Sequence, residues 1–149
     1  MTKKEYEVLD RWAERYDVDY VPTKSTTSFW DFTYELNDIK YYCEMKQRNF
    51  TLDYAVQNYT DGLLLEMHKY ERILRRTKNE KGSQGLYFNF FNDDKALVFN
   101  LNKLNGNGRR CLNLLSSQDV NLFTSTLPLL IIVKENYFIF EHSAIIPSL

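Results

Sequence analysis

Two β-prone runs on either side of Asn37-Asp38 constrain the fold of this chain more than any other segment. The first run reads W-D-F-T-Y-E-L from Trp30, and the second reads I-K-Y-Y-C-E-M-K-Q-R from Ile39. An Asn-Asp pair between two such runs is typical of a two-residue turn, so the segment is predicted to form an antiparallel β-hairpin. The turn fixes the register and therefore decides which residues face each other.

The residue types support this register because the facing pairs separate into two kinds. On one side every pair is apolar or aromatic: Leu36 with Ile39, Tyr34 with Tyr41, Phe32 with Cys43, and Trp30 with Met45. That side is predicted to be the buried one. On the other side Glu35 faces Lys40, Thr33 faces Tyr42 and Asp31 faces Glu44, with Lys46 two residues further on. A slip of one residue would destroy both patterns.

The predicted pairing of Asp31 with Glu44 places two carboxylates at directly opposed positions, with Cβ atoms about 4.5–5.5 Å apart. Such a pair is costly unless a cation lies between the groups, one of them is protonated, or their ends splay into water. The first alternative gives a hard-cation site, and Mg²⁺ suits it because this ion accepts one or two carboxylates and often substrate phosphate. Lys46 would then neutralise charge developing on the phosphate during phosphodiester hydrolysis.

Asp31, twelve intervening residues and the triplet Glu44-Met45-Lys46 resemble the motif of the PD-(D/E)XK nuclease superfamily, with Trp30 in place of its proline. The resemblance implies an α/β fold with a restriction-endonuclease-like core, in which a mixed central β-sheet is flanked by helices in the order helix, strand hairpin, helix, strands. It also implies a metal-dependent DNA nuclease in which Asp31 and Glu44 bind Mg²⁺ or Mn²⁺ and Lys46 is catalytic.

Five further side chains are candidates for the same site. The resemblance implies an acidic residue from the first helix, and Glu7 and Glu14 are both possibilities. Arg48 continues the face of the E-x-K triplet and could contact phosphate. Glu66 and Lys69 lie at the start of a later helix, where related nucleases sometimes place a site residue, although the two could simply form an ion pair at the helix end.

The length of 149 residues and the 44% of apolar residues predict one domain covering residues 1–149, and hydrophobic periodicity predicts its elements. Helices are predicted over residues 3 to 16 and 68 to 78. Strands are predicted over 18–21, 63–65, 86–91, 96–101, 129–133 and 137–140, with a hairpin between the last two. Residues 102 to 110 read as a polar loop, and residues 50 to 61 fit no element. The alternation of helices and strands favours a mixed sheet flanked by helices.

Charge and composition exclude several classes of protein. With 19 basic and 20 acidic residues the net charge is −1, so a nucleic-acid site must be a local patch. Two cysteines without CxxC spacing support neither a disulfide framework nor a zinc site. The longest apolar run, residues 127 to 133, is too short to cross a bilayer, and the N-terminus lacks a signal-peptide pattern, so a cytoplasmic protein without a membrane partner is predicted.

The predicted helix from residue 68 carries one local cluster of basic residues. Its basic residues are Lys69, Arg72, Arg75, Arg76 and Lys78. A solvated helix face and a phosphate-contacting surface explain this cluster equally well.

The sequence is compatible with three functions. The first is a nuclease acting on DNA, either as a duplex or as a branched molecule, with RNA as a further possibility for the substrate. The second is a nuclease-like domain without activity that binds nucleic acid or protein, because a fold does not fix a function. The third is an assembly protein, which predicts an exposed apolar patch. Two cuts in one substrate would require two sites, so a homodimer is open beside a monomer.

Overall fold

The computed structural model describes residues 1–25, 28–58, 63–103, 109–116, 119–134 and 137–142. The helices are α1 (Lys3–Tyr16), α2 (Leu52–Asn58) and α3 (Met67–Asn79), with a short 3₁₀ turn at Leu101–Lys103. The strands are β1 (Tyr20–Pro22), β2 (Phe32–Leu36), β3 (Ile39–Gln47), β4 (Leu64–Glu66), β5 (Ser83–Phe90), β6 (Lys95–Asn100), β7 (Arg109–Ser116), β8 (Asp119–Lys134) and β9 (Tyr137–His142).

Five strands form a mixed central sheet in the order β1, β2, β3, β5, β6. β2 is antiparallel to both β1 and β3, β5 is parallel to β3, and β6 is antiparallel to β5. The parallel step requires a crossover connection, which here contains α2, β4 and α3. Backbone pairing continues beyond β6 through β7, β8 and β9 to β4. The chain is therefore an α/β protein with a mixed sheet and flanking helices, as the sequence predicts.

The β2–β3 hairpin confirms the predicted register from Leu36 opposite Ile39 as far as Phe32 opposite Cys43. Asn37 and Asp38 adopt φ angles of 52° and 66°. These left-handed conformations belong to the tight turn whose twist matches that of the flanking strands, and Asn and Asp tolerate them better than most residues do. The chemistry of the turn therefore sets the alignment of the five residue pairs from Leu36–Ile39 to Phe32–Cys43.

The regular ladder ends at Phe32, and the alignment slips by one residue at Asp31. The Asp31 amide donates to the carbonyl of Cys43 at 2.8 Å, whereas a regular continuation would pair Asp31 with Glu44. A one-residue slip moves the preceding side chain to the other face of a sheet. The Trp30 ring accordingly contacts the ring of Tyr42, with centroids 4.9 Å apart, and the prediction that Trp30 faces Met45 is wrong.

α1 covers one face of the sheet because its apolar residues form a single stripe. Thr2 and Glu5 form a capping box that satisfies the first amides of the helix. The residues buried under α1, called the α1-side core, are Leu9, Trp12, Ala13, Phe32, Tyr34, Cys43, Met45, Leu86, Phe88, Phe90, Ala96 and Val98. This core contains the side of the hairpin that the sequence predicts to be buried.

α3 covers the opposite face, where the α3-side core consists of Tyr42, Leu52, Ala55, Leu63, Leu65, Ile73, Tyr87, Phe91, Leu97, Phe99 and Leu101. Gly85 allows α3 to approach β5 closely, since a Cβ at this position would lie 2.3 Å from Cγ2 of Ile73. The expectation of one buried and one polar side is therefore corrected. The helix of the crossover covers the part of the second side that contains Tyr42 and Glu44, whereas Glu35 stays exposed.

The other predicted elements are largely present. Both predicted helices and the antiparallel pairing of residues 129–133 with 137–140 are confirmed. α2 and β7 were not predicted, and β7 begins at Arg109, inside the predicted polar loop. Residues 104–108 of that loop lie outside the described part of the chain. Among the described residues, no helix is both long enough and apolar enough to cross a membrane.

Candidate functional site

Glu44 is a buried carboxylate in the middle of β3, with 1% of its side chain exposed. Burial is the largest cause of its raised pKa, which reaches about 8; the nearby Asp31 charge raises the pKa further, whereas Lys69 and Lys46 lower it. Its Oε2 atom has no hydrogen-bond partner among the described residues. A buried oxygen of this kind costs free energy unless an ion, a ligand or a water satisfies it.

Two lysines approach the other oxygen of Glu44. Lys69 Nζ donates to Oε1 at 2.5 Å from the first turns of α3, and Lys46 Nζ lies 3.8 Å from the same atom. Lys46 is 39% exposed and Lys69 is 20% exposed, so both ammonium groups connect the buried carboxylate with the surface. Glu44 of the E-x-K triplet therefore contacts Lys69, which the sequence offered as an additional site residue, and lies near Lys46.

The Asp31 carboxylate borders this cluster from the start of β2. Its Oδ2 accepts a hydrogen bond from the Met45 amide at 3.0 Å. Partial burial disfavours charge on Lys69, but the hydrogen bond to Glu44 and the charges of Glu44 and Asp31 raise the pKa of Lys69. Asp31, Glu44, Lys46 and Lys69 therefore form one electrostatic cluster, although Asp31 is not the direct cross-strand partner of Glu44 that the sequence predicts.

Glu66 lies at the edge of the cluster, just before α3. Its Oε2 atom is 3.2 Å from Nε2 of His68, and its charge also contributes to raising the pKa of Lys69. Glu66 is thus near the site but is already paired with a neighbour. The predicted alternative of a helix-end pair between Glu66 and Lys69 is replaced by two separate pairs, Glu66 with His68 and Lys69 with Glu44.

Arg48 is held against β5. Its Nε donates to Oδ1 of Asn89 at 3.0 Å, and its Nη2 donates to the hydroxyl of Tyr87 at 2.9 Å. A guanidinium has five N–H donors, so these two contacts leave donors for a phosphate. Arg48 follows the strand that carries Glu44 and Lys46, and its guanidinium is oriented by residues of the neighbouring strand.

Glu7 and Glu14 are not brought to this cluster. Both are exposed on α1, whose stripe of Leu9, Trp12 and Ala13 packs on the face of the sheet opposite to α3. Because the apolar stripe determines how the helix is oriented, the acidic residues between its members face solvent. The structure therefore gives neither glutamate a contact with Glu44.

Tyr87 and Asn89 are neighbours of the candidate site that the sequence did not predict. In the parallel pairing of β3 with β5, Tyr87 lies beside Glu44 and Asn89 lies beside Lys46. Asn89 is fully buried, and its Nδ2 has no hydrogen-bond partner among the described residues. The available signal was the single amide in the run L-Y-F-N-F-F from Leu86. Near Lys46, two adjacent strands thus carry a donor, Nδ2 of Asn89, and an acceptor, Oε2 of Glu44, and neither atom has a hydrogen-bond partner among the described residues.

The donor set of the cluster fits a hard divalent cation. Asp31 and Glu44 provide two carboxylates, and Oε2 of Glu44 is a buried oxygen without a partner among the described residues. The described residues contain no group of three or more His, Cys, Asp or Glu arranged to hold a metal. Mg²⁺ commonly uses one or two carboxylates and takes water and phosphate as its other ligands. The two carboxylates are therefore sufficient in kind and number for such an ion.

No protein-family model, curated protein or solved structure matches this chain. The resemblance to PD-(D/E)XK nucleases remains a prediction that rests on Asp31 and on the triplet Glu44-Met45-Lys46. To these residues the structure adds their burial, their contacts and the α/β architecture around them.

Proposed function

We propose that this protein is a nuclease that hydrolyses DNA phosphodiester bonds with the help of Mg²⁺ or Mn²⁺. One observation carries the proposal: a buried glutamate, Glu44, has an unpartnered oxygen beside a second carboxylate and is flanked by two lysines. Strongly shifted carboxyl groups with a charged partner are concentrated in functional sites. This combination of residue types is the one that metal-assisted hydrolysis of a phosphate ester uses.

The architecture supports a restriction-endonuclease-like core. The resemblance implies a helix, a hairpin that carries the aspartate and then the triplet, a second helix and a further strand. The chain has α1, the β2–β3 hairpin, α3 and β5 in this order. Asp31 immediately precedes β2, and Glu44 and Lys46 lie in β3.

Each residue has a distinct role in the proposed reaction. Asp31 and Glu44 would hold the cation, which supplies Lewis-acid polarisation when it is bound. Lys46 is the more exposed of the two lysines, and its ammonium group would stabilise the negative charge that develops on the phosphate. Lys69 keeps Glu44 oriented through a short hydrogen bond. Arg48 would bind the phosphate backbone from its position against β5.

A second candidate function is a nuclease-like domain that binds nucleic acid or protein without cutting it. The contact of Lys69 with Glu44 at 2.5 Å, with Lys46 at 3.8 Å from the same oxygen, favours this alternative. These lysines balance the charge of the site without a metal ion. Whether a cation competes successfully for Glu44 therefore decides between the two functions.

The deciding experiment measures metal binding and cleavage separately. Calorimetry should detect Mn²⁺ binding to the protein alone, and Asp31→Asn should weaken this binding at least about tenfold because one of two charged ligands is lost. The matched control is Asp19→Asn, which changes an exposed aspartate outside the cluster.

Cleavage should then be tested with Mg²⁺, Mn²⁺ or a chelator on labelled duplex, single-stranded and branched DNA and on RNA. We expect DNA to be cut in either metal, no cutting in chelator, and loss of cutting in Asp31→Asn. A folded protein that binds Mn²⁺ equally well with and without the Asp31 carboxylate, or that cuts none of these substrates, would support the binding module instead.

A further inference from the structure

The positive charge of the protein is concentrated on α3. This helix contains five lysines and arginines and one glutamate, whereas the whole chain has a net charge of −1. Arg72, Arg75, Arg76 and Lys78 are exposed. The rest of the molecule is accordingly acidic overall, so a polyanion would be attracted to this helix and not to the protein as a whole.

Three of the basic residues form a stripe that begins at the candidate active site. Lys69, Arg72 and Arg76 follow one another at three- and four-residue spacing, which places them on one side of a helix. Lys69 contacts Glu44 at one end, and at the other end Arg76 Nε donates to the hydroxyl of Tyr42 at 3.1 Å. Seven residues of helix span about 10 Å, the length of about three successive phosphates of one strand.

Aromatic rings accompany this basic stripe. The Arg72 guanidinium lies over the ring of Phe29, 4.9 Å from its centroid, and the His68 ring meets Phe29 edge-on at 5.7 Å. Phe29 is half-buried and belongs to neither core. Surfaces that combine a basic track with accessible aromatic and guanidinium planes bind unpaired bases by stacking, whereas a duplex keeps its bases stacked internally.

We infer that the outer face of α3, together with Phe29, binds a single-stranded segment of DNA and directs it toward Glu44. The binding itself does not depend on catalysis; the choice of DNA and the fate of the bound strand rest on the proposed function. Arg72 and Arg76 of the stripe and the neighbouring exposed Arg75 bind successive phosphates, and Phe29 stacks with a base. A substrate with an unpaired tail or branch is therefore favoured over a blunt duplex.

The first test measures binding of a fluorescein-labelled oligothymidylate by anisotropy, in chelator so that cleavage does not interfere. The variant Arg72→Gln/Arg75→Gln/Arg76→Gln should bind at least about tenfold more weakly. Its salt dependence, plotted as log K against log salt, should become shallower by about 2 because each lost phosphate contact contributes roughly 0.7. Arg72→Gln alone gives a smaller change in the same direction if the triple variant unfolds.

The matched control is Lys3→Gln/Lys4→Gln/Arg15→Gln, which removes the same charge from exposed positions of α1 on the opposite face of the sheet. Surface charges beyond about 8 Å are largely screened at physiological salt, so this variant should bind within about twofold of wild type. Equal weakening by the α1 and α3 variants would overturn the assignment of the surface.

The second test separates single strands from duplexes. Phe29→Leu should weaken single-strand binding roughly tenfold and leave binding of a duplex of the same length within about twofold, since only an unpaired base can stack on the ring. Equal effects on both ligands, or binding of the matching RNA more than tenfold tighter than DNA, would overturn the single-stranded DNA assignment. If the protein binds single-stranded DNA in this way but cleaves none of the substrates, only the proposed nuclease activity is refuted.

Discussion

The two faces of the central sheet are each covered by a helix, and they differ in what the helix buries. Under α1, aromatic rings pack on one another: Trp12 meets Phe88 at 5.0 Å and Tyr34 at 5.5 Å between centroids. Among the described residues of the α1-side core, the one buried side-chain polar atom without a hydrogen-bond partner is Nε1 of Trp12, which is a neutral donor. Under α3, Glu44 and Asn89 are buried in the same layer as apolar residues, and each retains an unpartnered atom.

This is the difference expected between a face that only stabilises the fold and a face that also contains a functional site. Aromatic packing contributes stability through buried area and ring geometry. A buried carboxylate lowers stability because its charge is poorly solvated, and nearby lysines offset only part of that cost. Proteins tend to depart from the rules of good packing at functional sites. Changing residues on each face separately tests whether the α3 side contains a functional site or is an ordinary core with a buried ion pair.

The largest effect is expected from Glu44→Gln, measured as stability against pH. The wild-type carboxyl has a pKa near 4.5 when unfolded, but burial raises it to about 8 in the fold. The fold therefore prefers the protonated form, and wild type should lose stability as the pH rises from about 4.5 to about 8. At roughly 1.4 kcal/mol per pH unit, the difference from the neutral glutamine variant could reach on the order of 5 kcal/mol.

Denaturant unfolding in chelator at a series of pH values measures this difference. The control is Glu35→Gln, which changes an exposed glutamate of the same hairpin and should alter stability by no more than about 0.5 kcal/mol. If the free energy of unfolding depends on pH in the same way in wild type and Glu44→Gln, burial of the Glu44 carboxylate does not lower stability as predicted. The two faces of the sheet would then not differ in this respect.

Phe88→Ala should destabilise the protein by about 3–5 kcal/mol, because it removes a fully buried ring from the α1-side core and leaves a cavity. This loss should be independent of pH between 5 and 9, unlike the effect of Glu44→Gln. Mn²⁺ affinity, measured by calorimetry under conditions where the variant is folded, should be unchanged because the α1 side contributes no ligand. A large loss of Mn²⁺ affinity would mean that the two faces are not independent.

Lys46→Ala should lower the cleavage rate about 10²–10³-fold, the size expected for one preorganised donor to a transition state. Its side chain is 39% exposed, so its removal should leave stability within about 1 kcal/mol. The matched control is Lys40→Ala, which removes a lysine from the same strand at the other end of the hairpin. Single-turnover cleavage rates of the two variants test this role, and equal rates would exclude a catalytic role for Lys46.

Gly85→Ala should destabilise the protein by about 1–3 kcal/mol, because the new Cβ would overlap Cγ2 of Ile73 and push α3 away from β5. Unfolding measurements should show that adding Ile73→Ala costs less than the sum of the two single changes, since the overlap is then relieved. Strict additivity would indicate that α3 is not held by this close contact.

Local patterns in the sequence were sufficient for most of the elements. The apolar stripe of α1 and the facing pairs of the hairpin depend on residues near one another in the chain, so their periodicity predicts them. The same is true of the basic side of α3. Asp31, Glu44 and Lys46 were identified from this local order together with a family resemblance, and the structure places all three in one cluster.

What the sequence did not predict depends on contacts between distant segments. The burial of Glu44 requires α3 to pack on the second face of the hairpin, and the neighbours Tyr87 and Asn89 arrive only through the parallel pairing of β3 with β5. The slip at Asp31 is one hydrogen bond in an otherwise regular ladder. Glu7 and Glu14 were proposed by analogy, but the apolar stripe of α1 directs both toward solvent.

The left-handed turn at Asn37 and Asp38 has a consequence for the order in which the site assembles. A two-residue hairpin closes with little loss of chain entropy, on a timescale of microseconds, whereas a parallel pair must wait for its long crossover to fold. Asp31, Glu44 and Lys46 should thus be aligned on the hairpin while they are still hydrated. The connection from the hairpin to α3 is much longer than the two-residue turn, so we expect Lys69 and the cover of α3 to be added after the hairpin has closed over the acidic residues' positions.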